Sequence, residues 1–114
     1  MAKSSPILDL AHLARYTGGD TALNAEILRL FDSQTGELVE RLRSTLTARD
    51  AQSWKMVAHT IKGAARGVGA FPLSDAAAAA EPLDPCADDA GAALETLSLR
   101  AEAVQAFIRT YLAA

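Results

Sequence analysis

The stretch AQSWKMVAHTIKGAARGVGAFPLSDAAAAAE, residues 51–81, decides the fold. Trp54, Val57, Ala58, Ile61, Ala65 and Val68 recur at three- and four-residue steps, the pattern of an amphipathic helix with that set buried. Asp50 offers a carboxylate to cap its start. Gly67 and Gly69 end it, because glycine enters left-handed backbone at little cost. Pro72 suits the first turn of a following helix. That helix runs through Leu73 and Ala76 to Ala80 and stops at Glu81-Pro82-Leu83-Asp84-Pro85, where two prolines forbid continuation. The alanine run 76–80 gives it a face thin enough for close packing.

Working outward, a long helix precedes this pair. Asp20 and Thr21 cap it, and Leu23, Ile27, Leu30, Phe31, Leu38, Leu42 and Leu46 are its expected apolar face. Gly36 weakens it without dividing it. Ahead of it, Ile7, Leu8, Leu10, Leu13 and Ala14 form a short amphipathic helix ending near Gly18-Gly19. Downstream, Asp88 or Asp89 opens a helix that buries Leu94, Leu97, Ala101, Val104, Ile108 and Leu112. Short loops make sequential helices antiparallel neighbours. The expected fold is therefore all-α: an antiparallel up-down four-helix bundle over residues 7–114 with a short additional N-terminal helix. Residues 1–6 are expected to be a flexible leader.

Composition narrows the function classes. A chain of 114 residues, half of them hydrophobic, suits one domain with a real core. A net charge of -3 argues against a nucleic-acid partner, which wants a basic surface. One cysteine, Cys86, excludes an internal disulfide framework and a cysteine-built zinc site, and nothing around it activates the thiol. No run approaches the roughly 20 apolar residues that span a bilayer, and the N-terminus lacks a secretory pattern. The expectation is a cytoplasmic monomer without membrane contact, metal or cofactor.

Against that acidic background, residues 51–74 contain no acidic side chain. Lys55, His59, Lys62 and Arg66 stand at i, i+4, i+7 and i+11 of the helix, one stripe beside the apolar seam. Gly63 lies one turn after His59. On a merely wet face such a glycine costs about 1 kcal/mol against alanine, and its use is to leave the imidazole open to a large partner. Cations around a nucleophilic imidazole suit a phosphoryl group: one ring nitrogen attacks, and the lysine three residues on meets the oxygens. The other nitrogen must then carry the proton. Glu81 is a candidate acceptor. The turn centres near Ala70, and His59 and Glu81 lie equally far on either side of it, so an antiparallel hairpin brings them to the same height. The count permits a hydrogen bond; a solvated Glu81 fits it too.

Residues 58–81, AHTIKGAARGVGAFPLSDAAAAAE, resemble the signature of the histidine-containing phosphotransfer (HPt) domain of phosphorelays. The matching positions are His59, Lys62, Gly63, Gly69, Leu73 and the acidic Glu81. The opening LDLAHLARYTGGDTALNAEILRLF, residues 8–31, also looks like the start of such domains. The resemblance implies that His59 is phosphorylated on Nε2, that Lys62 contacts the phosphoryl group, that Gly63 clears space for a receiver domain, and that Glu81 orients the ring through Nδ1. It implies transfer between aspartates of receiver domains, with a response regulator or hybrid kinase as partner. It implies no ATP site, and magnesium only in the partner's acidic pocket. Arg66 stands where smaller residues are common.

Plainer roles stand beside these. Lys55 and Arg66 read as solvated charges with some steering value at a partner surface. His12 has no positioned partner and reads as a surface residue. Trp54 and Phe31 read as core. A docking or inhibitor bundle that binds a kinase or receiver without being phosphorylated shares the helical pattern, but has no need of His59 beside Lys62 and Gly63. A hydrolytic or metal enzyme lacks its motifs: there are two histidines, no H-E-x-x-H, no P-loop and no G-x-S-x-G.

Overall fold

The computed structural model of the protein describes residues 6–114. The leader expected over 1–6 lies, apart from Pro6, outside them. Every regular element among the described residues is a helix: α1 (Leu10–Thr17), α2 (Thr21–Ala48), α3 (Ala51–Val68), α4 (Phe71–Ala80) and α5 (Ala90–Ala113). The caps follow from side-chain chemistry. Asp9, Asp20 and Asp50 each accept a hydrogen bond from a backbone N–H of the first turn they precede. Gly18 and Gly69 end α1 and α3 in left-handed backbone. One expectation needs correcting at the ends: Gly67 lies inside α3 and leaves its termination to Gly69. Asp89 opens α5 from the N-cap position, in helical backbone and without a side-chain cap bond.

The helices α2, α3, α4 and α5 each pack against two others, in the cyclic order α2–α3–α4–α5, and α1 packs on α2 and α3. Cross-contacts give the directions. Trp54, early in α3, reaches Ala80 at the end of α4, while Ser74, early in α4, reaches Lys62, late in α3. Arg43 meets Ser98, Asp32 meets Gln105, and Asn24 meets Tyr111, so α2 and α5 are antiparallel as well. At the centre lie Leu28, Leu42, Trp54, Ile61, Leu73, Leu97 and Ile108, all buried.

The expected face of α3 is the buried face, residue for residue. In α2 the expected face is displaced. Leu23 and Leu30 are exposed, at 39% and 60%, while Leu28 and Val39 are buried. The inward positions are 24, 28, 31, 35, 39, 42 and 45, three of them polar: Asn24, Thr35 and Thr45. Thr45 is buried because its hydroxyl donates to the Leu42 carbonyl at 2.7 Å, which removes the cost of its polar group.

Candidate functional site

The site lies where α3 passes the end of α4. His59 projects from α3 with its side chain 67% exposed. Its Nδ1 stands 3.2 Å from Oε2 of Glu81. The other carboxylate oxygen, Oε1, stands 2.7 Å from the Lys62 ammonium. One carboxylate therefore serves both the histidine and the lysine of α3. Glu81 is only 17% exposed and Lys62 28%, so this ion pair is partly withdrawn from water while the imidazole is not.

The pairing fixes the ring's chemistry. The Lys62 ammonium beside Glu81 holds its carboxyl below the ordinary carboxylate range; partial burial opposes this, and His59 reinforces it. Glu81 is therefore ionised at neutral pH. An ionised carboxylate only accepts hydrogen bonds, so the Nδ1 facing it must donate. In a neutral imidazole that leaves the lone pair on Nε2, the nitrogen pointing away from Glu81.

The core holds this geometry from below. Trp54 is fully buried, and a buried indole N–H needs an acceptor. Its Nε1 donates to the carbonyl of Ala80 at 2.8 Å, the residue before Glu81. The Glu81 N–H donates to Ala77 O at 2.9 Å, so the carboxylate sits on a closed helical turn. Ser74, also buried, donates its hydroxyl to the carbonyl of Lys62 at 3.1 Å. α3 is thus pinned to α4 at both ends of the site. Nothing in the sequence singles out Ser74, and Trp54 is expected in the core without its bond. A lone buried tryptophan opposite the alanine run 76–80 is the signal for the second, because those side chains offer its N–H no acceptor.

The other candidate residues fall as follows. A Cβ added at Gly63 would meet nothing within 4 Å, so the surface one turn beyond His59 is open. Lys55 and Arg66 are exposed and make no ion pair among the described residues. Lys62, the expected phosphoryl contact, pairs with Glu81 in this structure, because a carboxylate within reach is the strongest partner an ammonium has there. His12 is not a surface residue. It is half-buried, with its ring edge-on to Tyr16 (5.5 Å) and Phe71 (5.0 Å), and it is far along the chain from His59. No group of three His, Cys, Asp or Glu side chains among the described residues could hold a metal ion. Among the described residues no helix is long and apolar enough to cross a membrane.

Comparison with known proteins adds two findings. The family model for the Hpt domain matches residues 26–107. The fold is similar to the crystal structure of histidine-containing phosphotransfer protein B (HptB) from Pseudomonas aeruginosa PAO1, with 25% sequence identity, a TM-score of 0.85, and coverage of 94% of this chain and 95% of that one. No curated protein matches the chain.

Proposed function

The chain belongs to the Hpt domain family, and from that premise we propose that it is a histidine phosphotransfer protein of a phosphorelay, phosphorylated on His59. In this reading residues 7–114 are one domain, an antiparallel up-down four-helix bundle with α1 as a short addition. It takes a phosphoryl group from the aspartate of one receiver domain and passes it to another, the partner being a response regulator or a hybrid kinase. It works as a cytoplasmic monomer and carries no kinase or hydrolase machinery and no cofactor of its own; magnesium belongs to the partner's acidic pocket.

The observation that carries the reading is the shared carboxylate under an exposed ring: Glu81 on Nδ1 leaves Nε2 free and facing solvent. The lone pair of Nε2 attacks phosphorus, the P–O bond to the receiver aspartate breaks, and its electron pair returns to that carboxylate. Nδ1 keeps its proton throughout, with Glu81 as its acceptor. Gly63 leaves room for the receiver to reach the ring, and Lys62, one turn after His59 on α3, meets the transferred oxygens. Lys55 and Arg66 extend the positive stripe and steer an acidic partner toward it.

Incubation with a receiver domain carrying labelled aspartyl phosphate tests this. Label should move to an acid-labile, alkali-stable bond in the wild-type protein and not in His59→Gln. Equal labelling of the two would overturn the assignment, and binding without any label would favour the docking bundle instead.

A further inference from the structure

The later half of α2 and the early part of α3 enclose a groove that the phosphotransfer reading leaves unused. It runs from Thr60 to Asp50, at the turn that joins the two helices, and holds about 390 Å³. Leu38, Ala48, Met56 and Val57 give it an apolar lining, with Met56 60% exposed. The hydroxyl groups in that lining are already engaged. Ser44 donates to the Glu40 carbonyl at 3.2 Å, Thr45 to that of Leu42 at 2.7 Å and Thr60 to that of Met56 at 3.0 Å. Ser53 donates to Oδ2 of Asp50 at 2.7 Å. A hydroxyl has a single proton, so none of these has a donor left for a ligand.

The charged groups in the lining are Asp50 and Arg41. Asp50 caps α3: its Oδ1 accepts from the Ser53 N–H at 3.1 Å, and the dipole at the helix start offsets its charge. The Ser53 hydroxyl and N–H hold its carboxyl below the ordinary carboxylate range. Arg41 lies at the Thr60 end, where it also borders a second depression with Glu37. It is exposed and makes no ion pair among the described residues, not even with Glu37 one turn earlier. Its guanidinium is left as the unpaired cation of an otherwise satisfied, apolar groove.

We propose that this groove binds a free medium-chain carboxylate, its aliphatic chain along Leu38, Val57, Met56 and Ala48 and its head on the Arg41 guanidinium. The guanidinium fork matches a carboxylate with two parallel hydrogen bonds. The chain then runs toward the turn, where Asp50 repels an anion, so the head has a single place. The volume lies at the low end for small-molecule sites, whereas a partner's helix needs a far larger surface. The binding does not depend on the role of His59. Its consequence does: Thr60 follows His59 on α3, so an occupied groove borders the surface that a receiver must cover.

The test titrates the full chain with decanoate, below the concentration at which decanoate itself aggregates, and follows methyl and arginine side-chain NMR signals. Leu38, Met56 and Val57 methyls and Nε of Arg41 should shift together and saturate. Hexanoate, with its shorter chain, should bind at least about tenfold more weakly. Decyltrimethylammonium, with the same chain and the opposite charge, should leave these signals in place. Arg41→Gln and Met56→Glu change exposed side chains and should keep the fold; each should weaken decanoate about tenfold. Absence of saturable shifts at these residues would overturn the proposal. So would an equal response to decyltrimethylammonium, or signals that move with a receiver domain and not with decanoate, which would assign the groove to a protein. With the groove filled, labelling of His59 by a receiver should slow several-fold. Unchanged labelling would overturn the competition and leave the binding site standing.

Discussion

Two places in the molecule pair a histidine with a glycine, and they are built in opposite ways. At the site, His59 stands exposed and Gly63 faces open space. At the turn between α3 and α4, His12 is wedged edge-on between Tyr16 and Phe71. There Gly69 is closed over: a Cβ on it would lie 2.7 Å from the carbonyl of Asp9 and 3.2 Å from Cβ of His12. The Asp9 N–H also donates to the Gly69 carbonyl at 2.9 Å, so α1 is seated directly on the turn. The first pair leaves a surface empty and the second lets two backbones touch. Residue type alone does not tell a reactive histidine from a structural one. What separates them is whether the ring has a charged partner on one nitrogen and space at the other.

The largest expected difference between the two is in labelling. His59→Gln should abolish phosphoryl acceptance, while His12→Gln should accept label as wild type does and lose only ring-edge contacts, worth about 0.5–1.5 kcal/mol each. Thermal melts and labelling of both variants measure this, and a His12→Gln protein that folds but takes no label would break the distinction. Next comes the closed glycine. Gly69→Ala must hold φ +92° with a side chain and push against Asp9, so unfolding should become easier by at least about 1–2 kcal/mol, read from denaturant midpoints. The open glycine should behave in the reverse sense. Gly63→Ala meets nothing within 4 Å and should stabilise the free protein by about 0.5–1 kcal/mol, while slowing transfer to a receiver. If Gly63→Ala destabilises the fold, the open-surface account of that position is wrong.

The smallest effect is in acid. Glu81 titrates below its ordinary value of 4.5 because of Lys62, so its pairing contributes stability above that value. The contribution is lost as pH falls through the lower midpoint of the folded protein. Glu81→Gln should therefore lose less stability than wild type on acidification below pH about 4.5, with little difference in slope above it. Equal acid profiles would remove the ion pair from the stability of the site.

How much of this was legible in the sequence differs from helix to helix. The buried face of α3 is legible in full, because its inward positions are all apolar, and Asp50 and Gly69 mark its ends, with Gly67 a false stop inside it. That of α2 is not. Its inward positions also keep helical spacing, but Asn24, Thr35 and Thr45 occupy three of them, and a reading by hydrophobicity slid onto Leu23 and Leu30. Threonine hydroxyls that bond to their own helix pass for surface in a sequence and for core in a fold. At the site, counting about Ala70 puts His59 and Glu81 at the same height, while their contact depends on how each helix is rotated, which the count does not give. The direction of Lys62 was not readable, because a long flexible ammonium goes to the nearest anion, and that anion is placed by the turn rather than by α3. The burial of His12 is hidden from the sequence for a related reason: its aromatic neighbours Tyr16 and Phe71 lie on two different helices, and only packing α1 on the turn brings them together.

Trp54 is the protein's one tryptophan, and its indole is bonded to the carbonyl that immediately precedes Glu81. This makes the molecule carry its own optical gauge of the site. Emission from a fully buried, hydrogen-bonded indole reports the junction on which the carboxylate stands. Any binding partner, modification or substitution that shifts the end of α4 against α3 will register there as a change in colour or intensity, without an added label and without touching the reactive ring.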